Sequence, residues 1–241
     1  LSFFPSSIFL SAGYTEPLTL LLIVCFFLAL KREWFFAAAA IAGLAVAARS
    51  TGIVLLPVLL WQMARSVEHR IFWRNVLPCA VLATSGLWFY ILYLWHTFDA
   101  PFAFSQAQAG FHNGTTMVAR LISSITLQPF FNMNLTEASP AGLDAWFFIL
   151  FSVLIVRAWF RLSTAMTLFA LGVLLLPYLT LSGGPAGFIS MARFNVVSFP
   201  LFLVMAEIGS RIRWLVPGVI GISGGLLFMY AALFAQWQWV G

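Results

Sequence analysis

The chain has 241 residues, of which 62% are hydrophobic and only 8% charged, with a net charge of +5. A soluble domain is about half apolar and about a quarter charged, so too few polar side chains are present to cover a water-exposed globule. The composition predicts an all-α, polytopic transmembrane helix bundle, in which a basic excess reports orientation and no nucleic-acid partner is implied.

The opening stretch LSFFPSSIFL reads as the end of a longer apolar segment, without the basic region or cleavage site of a signal peptide. The sequence is therefore read as one transmembrane domain over 1–241, the C-terminal portion of a longer module that lacks its N-terminal part. Glu16 comes next, a carboxylate set just before Pro17 and a long apolar run with no basic neighbour in sequence. Such a group beside lipid needs water, a partner or a task.

Eight apolar segments succeed it, at 17–30, 34–48, 52–64, 73–95, 143–160, 164–182, 195–209 and 214–236. A membrane helix takes about 20 apolar residues. If all eight cross, Lys31, Arg32, Arg65, Arg70, Arg74, Arg157, Arg161, Arg211 and Arg213 share one side. These are nine of the 12 basic residues. The positive-inside bias makes that side cytoplasmic. Glu33, Glu68 and Glu207 lie near these arginines, where solvated pairing accounts for them. Arg49, Arg120 and Arg193 fall on the other face, with Glu16, Asp99, Glu137 and Asp144. The outer loop, 96–142, contains an amphipathic stretch, TTMVARLISSITLQPFF, expected to lie along the interface.

The segments 34–48 and 52–64 are short and hinge at Arg49-Ser50-Thr51-Gly52, so the hinge should be recessed into the membrane. It offers a fixed positive charge, two hydroxyls and the N-terminus of the next helix, a suitable phosphate seat. The competing reading is a helical hairpin whose arginine reaches to the interface. The Ala-rich run 37–48 and Gly218, Gly221 and Gly225 of the last segment are read as close-packing surfaces. Tryptophans near segment ends form an aromatic belt. Cys25 and Cys79 lie in apolar runs as small packing residues, and no metal-ligand spacing is present. Asn113 and Asn134 begin glycosylation sequons on the outer side, a pattern common by chance.

Four stretches, FPSSIFLSAGYTEPLTLLL, AGLAVAARSTGIVLLP, HTFDAPFAFSQAQAGFH and SMARFNVVSFPLFLVMA, occur in this order over about residues 4–208. Together they resemble the multi-spanning mannosyltransferases of the PIG-V type, which include the enzyme adding the second mannose of GPI anchors. The resemblance implies a GT-C fold and an inverting transfer of a hexose, mannose foremost, from a polyprenyl-phosphate sugar to an outward-facing glycolipid or glycan acceptor. No cofactor or metal is required. It assigns the donor phosphate to Arg49, Ser50 and Arg193, and the sugar or acceptor side to Glu16, Gln106, Gln108 and His112. The general base that the family carries in its first outward loop has no counterpart here; Glu16 and Asp99 are the fallback bases. The family's Pro-Arg-Tyr reads Ala192-Arg193-Phe194, keeping the cation and losing the hydroxyl. Glu16 is also expected as a structural brace with Arg49 or Arg193, and the glutamines as ordinary loop residues. The alternatives are a transporter or flippase of a lipid-linked or anionic substrate, or a non-catalytic partner subunit. The expected location is a bacterial inner membrane, with the endoplasmic reticulum as the alternative.

Overall fold

The structure, a computed structural model, describes residues 1–104, 117–131, 140–181 and 188–238. Every regular element among them is helical, and no strand occurs. By its internal contacts the chain divides into two compact units. Unit 1 combines Leu1–Tyr14 with Thr115–Gly241, and unit 2 is Thr15–Gly114.

Unit 2 contains α1 (Glu16–Lys31), α2 (Phe35–Ala48), a 3-10 turn η2 (Ser50–Val54), α3 (Leu55–Ser66), α4 (His69–Ala83) and α5 (Ser85–Phe98). Pro17 sits in the first turn of α1, where its missing N–H costs nothing. Lys31 lies in the last turn, on the favourable side of the helix dipole. The outward face of α1 carries Leu18, Leu21, Val24 and Leu28, all exposed, while Glu16 and Thr19 are fully buried. Exposed apolar side chains along one face, with a buried carboxylate and hydroxyl beside Ile23, Phe26 and Leu30 on the other, are not the pattern of a water-soluble helix.

Helix α2 is the spine of unit 2. Ala38, Ala39, Ala42 and Ala45 have no exposed surface, so the Ala-rich run packs closely, as expected. Two glycines bring backbones into contact: a Cβ on Gly86 would strike the Gly43 carbonyl oxygen, and one on Gly43 would lie 2.5 Å from Leu82 O. This approach coincides with a break. The segment read as one helix over 73–95 is two, α4 and α5, bent by 46° around Thr84, whose hydroxyl donates back to Ala80 O at 2.9 Å. Such back-bonding loosens the helical ladder, and the bend lets α5 meet α2 at Gly86.

Unit 1 contains the 3-10 turn η1 (Pro5–Leu10), α6 (Met117–Ile125), α7 (Gln128–Phe131), α8 (Pro140–Trp159), α9 (Thr164–Thr180), α10 (Met191–Asn195), α11 (Phe199–Arg211) and α12 (Leu215–Ala235). Ser163 caps α9 by accepting from the Met166 N–H. Phe4 packs edge-on against Phe147, Phe151 and Phe202, and Phe130, Phe148, Tyr178 and Phe188 form a second aromatic cluster. Glu207 Oε1 forms ion pairs with Arg211, Arg161 and Arg157 at 3.0, 3.3 and 3.4 Å, tying α8 to α11. The expected helix in the outer loop is present as α6 and α7. Val118, Ile122 and Ile125 of α6 are exposed, whereas Arg120, Ser123 and Ser124 are buried.

Among the described residues two helices, Gly142–Trp159 and Leu215–Ala235, are long and apolar enough to cross a membrane, or three if α4 with α5 counts as one bent span. At 14 residues, α2 rises about 21 Å, short of a hydrocarbon core of about 30 Å. The glycine face expected on the last segment is corrected. Gly218, Gly221 and Gly225 meet nothing within 4 Å, because α12 touches the rest of unit 1 near its C-terminal end, where Tyr230 packs on Phe9. The packing difference gives a test. Gly86→Ala should destabilise by about 1–3 kcal/mol through overpacking against backbone. Gly221→Ala should be neutral or stabilising by up to about 1 kcal/mol. Unfolding midpoints of the two variants in detergent check this.

Candidate functional site

In unit 2 the chain leaves α2 at Ala48, and Arg49 is extended (φ −159°, ψ 135°) before η2 turns back. Gly52 lies so close to α2 that a Cβ would stand 2.5 Å from the Ala45 carbonyl carbon, and its N–H donates to Arg49 O at 2.9 Å. The fold-back buries Thr51 and leaves Ser50 exposed. It also sets the Arg49 guanidinium against Glu16, and the two form an ion pair. The Glu16 side chain is fully buried and that of Arg49 nearly so. The pair sits where both helix dipoles favour it, the carboxylate in the first turn of α1 and the cation just past the end of α2. Arg49, one of the two expected partners of Glu16, pairs with it.

In unit 1 the candidate residue Arg193 rides on α10, a single helical turn. Its position is fixed through the preceding peptide. Ala192 N–H donates to Asp144 Oδ1 at 3.0 Å, and Ser6 Oγ donates to Ala192 O at 2.8 Å. Asp144, a buried acid, thus holds the start of this turn. Ser190 enters it at φ 57°, a left-handed conformation that costs a residue with a Cβ about 1–3 kcal/mol and persists only when the surroundings fix it. The Arg193 guanidinium lies 4.6 Å from the centre of the Phe9 ring and 4.5 Å from that of Tyr14. The two rings meet edge to face at 5.1 Å. Contacts of this kind orient a half-buried cation and leave it charged. The tyrosine that reaches the arginine, Tyr14, comes from the GYTEP stretch.

Arg49, Ser50 and Glu16 thus share unit 2, and Arg193 belongs to unit 1. Asp99 closes α5 in a left-handed conformation (φ 52°) and is exposed. Gln106, Gln108 and His112 lie outside the described residues. No group of three or more His, Cys, Asp or Glu side chains able to hold a metal occurs among the described residues. Sequence reasoning passes over Ser6, Asp144, Asn195 and Ser198, all buried. Asp144 carries the same signal as Glu16, a lone acid in an apolar helix. Comparison of the chain with family models, with curated proteins and with solved structures finds no match.

This geometry can be tested at both sites. Glu16→Gln leaves the Arg49 charge buried without its counterpart and should cost roughly 3–5 kcal/mol. The double variant Glu16→Gln/Arg49→Gln should lose less than the sum of the single changes, by a coupling of about 0.5–3 kcal/mol; unfolding in detergent measures the cycle. Ser6→Ala strands the Ala192 carbonyl and should cost about 1–3 kcal/mol, read in the same assay.

Proposed function

We propose that the chain is a multi-pass membrane glycosyltransferase that uses a polyprenyl-phosphate sugar, with mannose as the transferred hexose. The reading rests on the PIG-V-type resemblance, and the observation that carries it is Arg193. A cation held on a rigid turn and oriented by two aromatic rings is suited to a leaving lipid phosphate. The eight-segment topology, with its basic residues on the cytoplasmic side, belongs to the same reading. So does the location in a bacterial inner membrane, with the endoplasmic reticulum as alternative.

In the transfer, a carboxylate takes the proton of an acceptor hydroxyl as that oxygen attacks the anomeric carbon from the face opposite the phosphate. The bond between the anomeric carbon and the phosphate oxygen breaks, the configuration inverts, and the electron pair leaves with the lipid phosphate. General-base help is worth typically about 10²–10⁴-fold, and a preorganised cation stabilises the charge that grows on the phosphate. Between the two fallback bases, Glu16 is engaged by Arg49, so the role passes to Asp99, whose carboxylate is exposed. Arg49 and Ser50 remain the second cationic position that the resemblance gives to the donor. The other reading is a non-catalytic partner subunit, favoured by the same Glu16–Arg49 pair, which is a brace as it stands.

Membranes carrying the protein are given polyprenyl-phosphate mannose with a radiolabelled sugar, and transfer to extracted glycolipids is counted. Arg193→Gln should lower transfer at least 100-fold with insertion intact, and Arg193→Lys should retain part of it. Wild-type transfer by Arg193→Gln would remove the phosphate role. Absence of transfer by the parent protein with several lipid-linked sugars would favour the carrier or subunit.

A further inference from the structure

Among the described residues of unit 1, Arg120 is a cation that the fold leaves unanswered. It is 7% exposed, and its Nε and Nη1 are buried with no hydrogen-bond partner among the described residues. Its helix is not free to swing the side chain out. Ser124, one turn further on the same face, donates through Oγ to Tyr178 O at 3.0 Å, and Tyr178 OH donates to Ser124 O at 2.9 Å. These reciprocal bonds fasten α6 to α9 with Arg120, Ser123 and Ser124 turned inward. The described carboxylates of unit 1 are committed elsewhere, Asp144 to the α10 turn and Glu207 to three other arginines. A guanidinium stays charged under all ordinary conditions, so burial without an anion is strongly unfavourable.

We infer that Arg120 is the seat of a phosphate ester belonging to a membrane lipid. The opposite face of α6 bears on what the anion is attached to. Val118, Ile122 and Ile125 point outward and are exposed, with Leu127 and Phe131 just beyond. α6 therefore separates Arg120 from an apolar medium on its far side, and an anion that comes from that medium to Arg120 is amphiphilic. Phosphate provides several acceptor oxygens for a guanidinium, which one water cannot match. The phosphate of a bilayer lipid and that of a polyprenyl carrier share this chemistry, and the seat is independent of whether the chain transfers sugar.

The full chain in detergent micelles is titrated with two probes, dihexanoyl phosphatidic acid and farnesyl phosphate, and binding is tracked by thermal shift. Either probe should bind the parent at least tenfold more tightly than Arg120→Gln, with Arg120→Lys in between. Tighter binding of farnesyl phosphate identifies an isoprenoid lipid, and tighter binding of phosphatidic acid a bilayer lipid. Hydrogen exchange at amides 117–125 in the parent alone gives a readout that needs no variant: a bound probe should slow it several-fold. Equal affinity of parent and Arg120→Gln for both probes, or unchanged exchange in the parent at saturating probe, overturns the inference. So does equal destabilisation by Glu137→Gln and Arg120→Gln without probe, which would make a protein carboxylate the partner.

Discussion

A polar group that this chain turns inward is costly unless it is matched, and α1 and α6 each carry exposed apolar side chains opposite buried polar ones. On α1, Leu18, Leu21 and Leu28 are exposed and Glu16 and Thr19 are buried; on α6 the isoleucines are exposed and Arg120 and two serines are buried. With that arrangement water cannot be relied on to satisfy an orphaned donor, and unsatisfied groups in apolar surroundings are expensive. The pairing of Glu16 with Arg49, the double fastening of Ala192, and the reciprocal bonds between Ser124 and Tyr178 are three solutions to one constraint. Each also fixes a segment that would otherwise be irregular.

The two units meet the constraint differently. Unit 2 relies on small residues: alanines along α2 and glycines at positions 43, 52 and 86 let backbones touch, so one charged pair suffices at the fold-back. Unit 1 relies on aromatic clusters and on a capped turn. Asp144 takes the place of an anionic ligand at the start of α10, which directs any external anion to arginine side chains and away from that helix end. Arg193 lies against two aromatic rings, and Arg49 pairs with a carboxylate.

Much of this is legible in the sequence, because the helical segments are long apolar runs bounded by Arg, Lys, Pro or Gly. The fold-back at Arg49-Ser50-Thr51-Gly52 is legible for a similar reason: neither flanking run is long enough to span. Glu16 announces a partner by being alone, although that Arg49 is such a partner requires the fold. The break at Thr84 is hidden, since VLATSGLW continues an apolar run and the close approach of Gly86 to Gly43 that accompanies it joins positions far apart in sequence. The glycines of α12 mislead for the converse reason. A small-residue face states that something can approach, and the sequence does not state whether this chain supplies it. The charge pattern sets Arg120 on the outer side, but nothing local indicates that its helix is turned with the charge inward.

The arrangement around Glu207 has a further consequence. One carboxylate holds Arg157, Arg161 and Arg211 together, and these side chains are only partly shielded, so each contact is worth less than about 1 kcal/mol. The cross-link leaves that end of the unit with a surplus of two positive charges. A fully neutralised junction would have given up its attraction for anionic headgroups. Here the same residues join two helices and still leave a net positive cluster, whose attraction for anions weakens as salt rises.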